Sequence, residues 1–237
     1  MWQSNSYTDT GQVRSINEDS ILELPDQQLW LVADGMGGHS HGDYASQLVS
    51  RTLSDFQCSI HAGISKSRLV ATLAQCNTQL VEKAERDQAG VIGCTVAILQ
   101  TGSHSIRCTW SGDSRIYRLR SETLKQLTQD HSQQTAVEDR DRLRHPSSLI
   151  EPSQMLTSAI GGDGQLALEH CWYPLDADDI FLLCTDGLNK EVDDEEIRDA
   201  LANSADGNQV LATLSRMYQE RGARDNIGMV WVTCSAS

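Results

Sequence analysis

The sequence lacks the features that mark secreted, zinc-binding or membrane-spanning proteins. None of its seven cysteines forms a C-x-x-C pair, and their number is odd, so neither a disulfide framework nor a zinc–thiolate site is expected. The beginning is polar and has no apolar signal segment, and no apolar run approaches the length of a membrane span. A reducing cytoplasm is therefore the expected location.

Positive charge is also scarce. The 237 residues carry a formal net charge of -14, and no stripe of basic and aromatic residues runs through them. Such a surface repels nucleic acid and anionic membranes, so neither is expected as a partner. An anionic substrate remains compatible if metal ions reverse the charge locally. No repeat, low-complexity tract or linker divides the chain, and we expect a single domain over residues 1–237 that acts as a monomer.

One stretch, residues 29–39, combines an apolar run with an acidic residue and glycines. Five apolar residues lead directly into Asp34, and three glycines follow within the next four residues. A short apolar run bounded by glycine is typical of a strand buried on both faces. A lone buried carboxylate is costly, so Asp34 needs cationic or hydrogen-bonding partners. Taken alone, an Asp-Gly pair such as Asp34-Gly35 is more often an ordinary turn at the end of a strand than a metal site, so the rest of the sequence has to supply the argument for a metal ligand.

The remaining patterns predict helices in pairs and strands in series. Apolar residues at three-four spacing predict helices over residues 42–56 and 67–84, with Ser67 as the N-cap of the second. Further helices are expected from about Asp193 and Asn208, where Asp193 and Glu196 have the spacing of a capping box. Strands are expected over residues 91–100, 105–110, 115–119, 180–185 and 227–234. Short loops between consecutive strands favour two stacked antiparallel sheets covered by helices.

Residues 129–165 form the least regular segment of the sequence. They contain a charged run and two prolines. This composition predicts a short helix followed by a mobile flap beside a cleft, and an ordinary long surface loop is the alternative.

Aspartates recur where strands end or turn. Asp34 and Asp186 follow apolar runs and precede glycine, Asp113 lies in a Gly-Asp-Ser turn, and Asp225 precedes a strand. Asp19 lies in an Asn-Glu-Asp segment. If these side chains converge, two carboxylates ~4 Å apart repel by roughly 4 kcal/mol at an effective dielectric near 20, so protons or cations must neutralise them. Oxygen ligands without thiolate or imidazole favour Mg²⁺ or Mn²⁺.

Seven short segments occur in a characteristic order. They are Arg14-x-x-Asn17-Glu18-Asp19, Val32-Ala33-Asp34-Gly35-Met36-Gly37-Gly38-His39, Gly112-Asp113-Ser114-Arg115, Leu127-Thr128-x-Asp130-His131-Ser132, Leu156-Thr157-x-Ala159-Ile160-Gly161, Thr185-Asp186-Gly187-Leu188 and Arg224-Asp225-Asn226-Ile227. Together they resemble the bacterial type 2C protein phosphatases, the metal-dependent Ser/Thr class. The resemblance spans nearly the whole chain. It implies an α+β fold, a four-layer α-β-β-α sandwich of two stacked antiparallel sheets flanked by helix pairs.

The resemblance also implies a binuclear Mn²⁺ or Mg²⁺ centre. Asp34 would bridge the two ions, and the carbonyl of Gly35 would ligate the first. Asp186 and Asp225 would ligate the second ion, and Asp113 with Asp186 would form a third, weaker site. Two such ions can acidify a bridging water and orient a phosphoryl group for in-line attack.

Three further residues receive roles from the same resemblance. Glu18 and Asp19 would complete the metal site by holding metal-bound water. Arg14 would bind the substrate phosphate, a role that suits the guanidinium fork. A surface salt bridge is the alternative for Arg14.

The sequence departs from the family at two positions. Animal members carry a histidine directly after the Asp-Gly pair, often proposed as the general acid, and Met36 stands there in this chain. His39 is then the candidate general acid, with His41, metal-bound water, or no catalytic histidine as alternatives. Cys94 replaces the small hydroxyl residue of the family and is expected to pack in the core.

The implied activity is one-step hydrolysis of phosphoserine and phosphothreonine in proteins by metal-activated water, opposing a bacterial Ser/Thr kinase. No C-x₅-R loop is present, which argues against a cysteine-based phosphatase. The length and residues 29–41 resemble the stand-alone phosphatases of type VI secretion loci. The alternative is a catalytically silent, phosphoprotein-binding regulatory module on the same fold, which would not need Asp34, Asp186 and Asp225 together. A metal-dependent nuclease is disfavoured by the acidic charge.

Overall fold

A computed structural model describes residues 1–37, 41–55, 65–131, 158–162 and 166–234. The strands in these ranges are β1 (Trp2–Asp9), β2 (Asp19–Leu24), β3 (Leu29–Gly37), β4 (Ile92–Cys94), β5 (Val96–Thr101), β6 (Ser105–Ser111), β7 (Arg115–Arg120), β8 (Thr123–Gln126), β9 (Glu169–Pro174), β10 (Ile180–Cys184) and β11 (Ile227–Cys234). The helices are α1 (Gly42–Ser54), α2 (Lys66–Asp87), α3 (Asp186–Asn189), α4 (Asp194–Ala202) and α5 (Gly207–Glu220).

The strands form two antiparallel sheets. The first sheet has the order β1-β11-β10-β7-β8, and the second has the order β2-β3-β5-β6-β9, with β4 paired to β3. The first sheet joins strands from both ends of the chain, because β1 pairs with β11, and the second sheet pairs β9 with β6, which lies much earlier in the chain.

Side chains of β3 point alternately to the two faces of the second sheet, and both faces are buried. Leu29, Leu31 and Ala33 pack in a core that includes residues of α1 and α2. Trp30 and Val32 belong to a second core, shared with strands of the first sheet. Because successive side chains of a strand point to opposite faces, one apolar run serves both cores.

The first sheet is covered in the same way. Phe181 and Leu183 of β10 lie in the core between the sheets, and Leu182 and Cys184 pack in a third core with residues of α4 and α5. Three cores separate four layers, so the predicted α+β arrangement, an α-β-β-α sandwich, is confirmed.

The structure corrects two local predictions. The N-cap of α2 is Ser65, whose Oγ accepts a hydrogen bond from the Arg68 amide at 3.3 Å, and not Ser67, which lies inside the first turn. The strand predicted over residues 91–100 is divided at Thr95. The capping box of Asp193 and Glu196 is confirmed by both reciprocal hydrogen bonds.

Three edge strands, β2, β8 and β9, were not predicted. Their side chains are largely exposed or half-buried, so the apolar periodicity that marks a strand is weak. The predicted helix and flap within residues 129–165 lie mostly outside the described residues, which omit 132–157 and 163–165. Within the described ranges, no helix combines the length and the apolar character needed to cross a membrane.

Gly207 at the start of α5 allows the helix to approach β11 closely. A Cβ at this position would lie 2.3 Å from Cε3 of Trp231 and 2.5 Å from Oδ1 of Asn5.

We expect Gly207→Ala to lower the free energy of unfolding by about 1–3 kcal/mol. Alanine favours helix, but its methyl group would overpack the contact with Trp231 and Asn5. Gly102→Ala is the control, because its nearest contact is 3.4 Å and its effect should stay within about 0.5 kcal/mol. Urea unfolding measures both, and equal stability of the two variants would contradict this reading.

Candidate metal centre

Asp19 and Asp34 are brought together by the pairing of β2 with β3. The register places Asp19 directly opposite Asp34. By alternation Asp34 shares the face of Trp30 and Val32, so it lies on the side of the sheet that faces the other sheet. β3 continues through Asp34 to Gly37, because residues 35–37 pair with β4, so Asp34 lies inside the strand and not at its end. Like charges directly opposite each other destabilise a sheet unless something neutralises them.

Asp186 and Asp225 come from the neighbouring strands β10 and β11 of the first sheet. Asp186 begins α3 just after β10, and Asp225 lies two residues before β11. Thr185 connects this side to the second sheet. Its hydroxyl donates to Oδ2 of Asp19 at 2.7 Å and accepts from the Gly228 amide at 2.8 Å.

Asp113 lies in the turn between β6 and β7, and two hydroxyl residues connect that turn to β3. The Asp34 amide donates to Oγ1 of Thr95 at 3.1 Å, and the Thr95 amide donates to the Asp34 carbonyl at 2.8 Å. Oγ1 of Thr95 lies 2.6 Å from Oγ of Ser114. The interruption between β4 and β5 at Thr95 therefore positions both Asp34 and the turn that carries Asp113.

Burial and the charges of neighbouring carboxylates disfavour the charged form of Asp34, Asp19 and Asp113. Burial raises the pKa of Asp34 well above its ordinary value, and the charges of Asp19, Asp186, Asp113 and Asp225 raise it further. Burial likewise raises the pKa of Asp19 to about 8, against a hydrogen bond from Thr185 that lowers it, and the pKa of Asp113 to about 7. Without a metal ion the cluster therefore holds protons at neutral pH.

The donor set fits hydrated Mg²⁺ or Mn²⁺. In the described part of the chain, Oδ1 of Asp19, Asp113 and Asp186 are each buried without a hydrogen-bond partner. Among all the residues that the structure describes, no group of three or more His, Cys, Asp or Glu side chains could hold a metal ion by themselves. Mg²⁺ and similar ions usually keep several waters and take only one or two carboxylates from the protein. Unpartnered oxygens on carboxyl groups whose charges act on one another are compatible with that kind of coordination.

Two basic side chains contact the cluster. Nη2 of Arg14 lies 2.8 Å from Oδ1 of Asp225. Nζ of Lys190 lies 2.5 Å from Oδ2 of Asp186 and 3.5 Å from Oδ2 of Asp225. The sequence interpretation missed Lys190, although its position four residues after Asp186 was an available signal for a helical ion pair.

The segment that carries Arg14 is held over Asp225 by Asn226. The Asn226 side chain donates to the carbonyls of Thr10 and Ile16 at 2.8 and 2.9 Å, and its oxygen accepts from the Glu18 amide at 2.9 Å. These bonds fix the backbone on both sides of Arg14, between Thr10 and Glu18, so the backbone holds Arg14 close to Asp225.

Glu18 and Gly35 lie where α1 approaches β3. The Glu18 carbonyl accepts from the Gly35 amide at 3.1 Å, and a Cβ on Gly35 would lie 2.1 Å from the Gly42 carbonyl oxygen. Burial raises the pKa of Glu18. His39, the candidate general acid, lies outside the described residues. Nε2 of the alternative, His41, lies 3.6 Å from Oδ2 of Asp87.

The raised pKa values predict how pH affects the metal-free protein. The folded chain keeps protons on Asp19 and Asp113 up to about pH 8 and about pH 7. The unfolded chain releases these protons above about pH 4. Because the folded state binds more protons, the free energy of unfolding should fall as the pH rises between these limits.

Urea unfolding in chelator, measured at several pH values, checks this prediction. Asp19→Asn should flatten the slope of the free energy of unfolding against pH. Asp199→Asn removes an exposed carboxylate and should leave this slope unchanged. A slope of opposite sign, or one that Asp19→Asn leaves unchanged, would contradict the assignment.

Comparison with known proteins finds a matching family and similar sequences. Residues 11–229 match the family Protein phosphatase 2C. Serine/threonine phosphatase stp of Listeria welshimeri serovar 6b is 32% identical over 240 residues, which cover 95% of this chain and 93% of the relative.

Two solved structures share the fold over nearly their whole length. PppA, a key regulatory component of T6SS in Pseudomonas aeruginosa, has a TM-score of 0.89 and 37% identity, covering 98% of this chain and 97% of PppA. The catalytic domain of serine threonine protein phosphatase PstP in complex with 2 manganese ions has a TM-score of 0.86 and 28% identity, covering 99% of both chains. Because the family match extends over residues 11–229, the chain belongs to the protein phosphatase 2C family.

Proposed function

We propose that this chain hydrolyses phosphoserine and phosphothreonine in proteins at a binuclear Mn²⁺ or Mg²⁺ centre. One observation carries the proposal: carboxyl groups from both sheets meet in a buried cluster whose oxygens include three without partners among the described residues. Such a cluster destabilises the fold, and divalent cations relieve that repulsion. Family membership supports the same reading.

We assign the metal-binding roles to the residues that the structure brings together. Asp34 would bridge two ions, with the Gly35 carbonyl on the first and Asp186 and Asp225 on the second. Asp113 and Asp186 would hold a third. The chemistry that such a pair of ions supplies is acidification of a water molecule and in-line orientation of the phosphoryl group.

The remaining side chains orient water and substrate. Glu18 and Asp19 would accept hydrogen bonds from water at the centre, and the Thr185 hydroxyl fixes the Asp19 carboxylate for this purpose. The Arg14 side chain is 51% exposed and sits at the edge of the cluster, so its guanidinium can reach a phosphate that arrives from solvent. His39 remains the proposed proton donor to the leaving alkoxide.

A catalytically silent, phosphoprotein-binding module is the alternative on this fold. The cluster argues against it. A binding module gains nothing from several buried carboxylates that repel one another and raise each other's pKa values. The relatives reported above carry the names of phosphatases.

The wider setting is also a proposal. We place residues 1–237 in one catalytic domain that acts as a monomer on phosphorylated proteins and opposes a cognate Ser/Thr kinase. A reducing cytoplasm suits the free thiols of the described chain. The likeness to PppA supports a role in a type VI secretion system.

Replacement of Asp34 tests the enzyme against the silent module. We expect wild-type hydrolysis of para-nitrophenyl phosphate to require Mn²⁺ and to stop with chelator. Asp34→Asn should lower kcat/KM at least about a hundredfold, because the loss of a bridging ligand should exceed the roughly 10–100-fold cost of losing a residue that only supports a ligand. Circular dichroism should show an intact fold. Asp199→Asn is the matched control, and turnover by Asp34→Asn near the wild-type rate would refute the assignment.

Replacement of Arg14 tests substrate binding. Arg14→Lys keeps the positive charge but loses the planar guanidinium that can donate two parallel hydrogen bonds to phosphate. We therefore expect kcat/KM for a phosphothreonine peptide to fall about tenfold, mainly through a higher KM. Mn²⁺ affinity should change little. Arg86→Lys, at a more exposed arginine on α2, should leave both quantities unchanged. An unchanged KM for Arg14→Lys would remove Arg14 from the phosphate site.

A further inference from the structure

Lys190 places an ammonium group on two carboxylates of the cluster. It follows α3 directly, and its amide donates to the Asp186 carbonyl at 3.0 Å, which fixes the backbone beside the site. Nζ lies 2.5 Å from Oδ2 of Asp186 and 3.5 Å from Oδ2 of Asp225. The side chain is 36% exposed, so its aliphatic stem leads to solvent.

The setting of Lys190 differs from that of an ordinary helical ion pair. Lys83 and Asp87 on α2 have the same i,i+4 spacing and the same 2.5 Å distance. The other ion-pair partners of Asp87 are Arg86 and His41, which are not carboxyl groups of the aspartate cluster. Asp186, in contrast, keeps a buried Oδ1 without a partner, and its charge raises the pKa of Asp19 and Asp34.

A divalent ion and the ammonium group need the same oxygens. Under the roles proposed above, Asp186 and Asp225 ligate one ion, and Lys190 already contacts an oxygen of each. An ion at that position would stand at contact range from a like charge, where repulsion is strong because water screens it poorly in a partly buried site. The long, partly exposed side chain allows the ammonium to move outward when the ion binds.

We propose that Lys190 is an internal counter-ion that competes with the divalent cation for Asp186 and Asp225. In the metal-free protein it stabilises the cluster, and it sets the metal affinity of this position below the value that the carboxylates alone would give. The inference rests on the metal-binding roles of the proposed function. A lysine that instead binds the substrate phosphate would change KM and leave metal affinity unchanged.

Calorimetric titration of Mn²⁺ into the chelator-treated full chain tests the proposal. Lys190→Met should lower the Mn²⁺ dissociation constant of the weaker ion about tenfold. The melting temperature of metal-free Lys190→Met should fall, and its rise on adding Mn²⁺ should exceed that of the wild type. Lys190→Arg keeps the charge and should keep the wild-type constant, and Lys83→Met is the matched control that should change neither quantity.

The outcomes separate this inference from the proposed function. If the wild type binds no Mn²⁺, both fail. If the wild type binds Mn²⁺ and Asp34→Asn weakens binding, but Lys190→Met binds with an unchanged or larger constant, only the counter-ion role fails. If metal-free Lys190→Met is unfolded, recovery of the fold on adding Mn²⁺ supports the role, and failure to recover contradicts it.

Discussion

Repulsion among carboxyl groups buried between two sheets is the constraint on which the rest of this structure depends. Asp19 and Asp34 face each other across β2 and β3, and Asp186 and Asp225 enter from the opposite sheet. A few pairs at roughly 4 kcal/mol each would match the whole stability of a domain, about 5–15 kcal/mol. The fold is therefore compatible with this cluster only when protons, basic side chains or metal ions neutralise it.

The sandwich provides the frame that makes such a cluster possible. The alternation that buries Trp30 and Val32 between the sheets also points Asp34 into the same layer, so an apolar core and an acidic pocket share one strand face. Hydroxyl groups of Thr185 and Thr95 fix the positions of Asp19 and Asp34 from outside the cluster. Stability is thus concentrated in the three cores, while the site between the sheets is held in an unfavourable arrangement, as is common for functional sites.

Local sequence patterns predicted the parts of the fold that depend on local chemistry. The capping box at Asp193 and the strand over residues 227–234 follow from spacing and apolar periodicity, and the structure confirms both. The choice of Ser65 over Ser67 as N-cap depends on where helical backbone begins, which two neighbouring serines leave open. The edge strand β9 exists because it pairs with β6 across an intervening segment, and its own sequence carries little periodicity. Local patterns could not place Asp19 opposite Asp34, because the register that does so depends on both strands.

The balance of charge at the cluster explains why divalent ions serve binding as well as chemistry. Arg14 and Lys190 bring two positive charges to five carboxyl groups, in a chain whose formal net charge is -14. Protons held by groups such as Asp19 can make the metal-free cluster neutral, but they do not make it positive. A phosphate carries further negative charge, so a neutral cluster inside an acidic protein offers it little attraction. Exchange of the protons and of the Lys190 ammonium for two divalent ions leaves this sum of charges unchanged, but it replaces protons held within carboxyl groups by doubly charged ions that phosphate oxygens would ligate, so the same step that activates the site also admits its substrate.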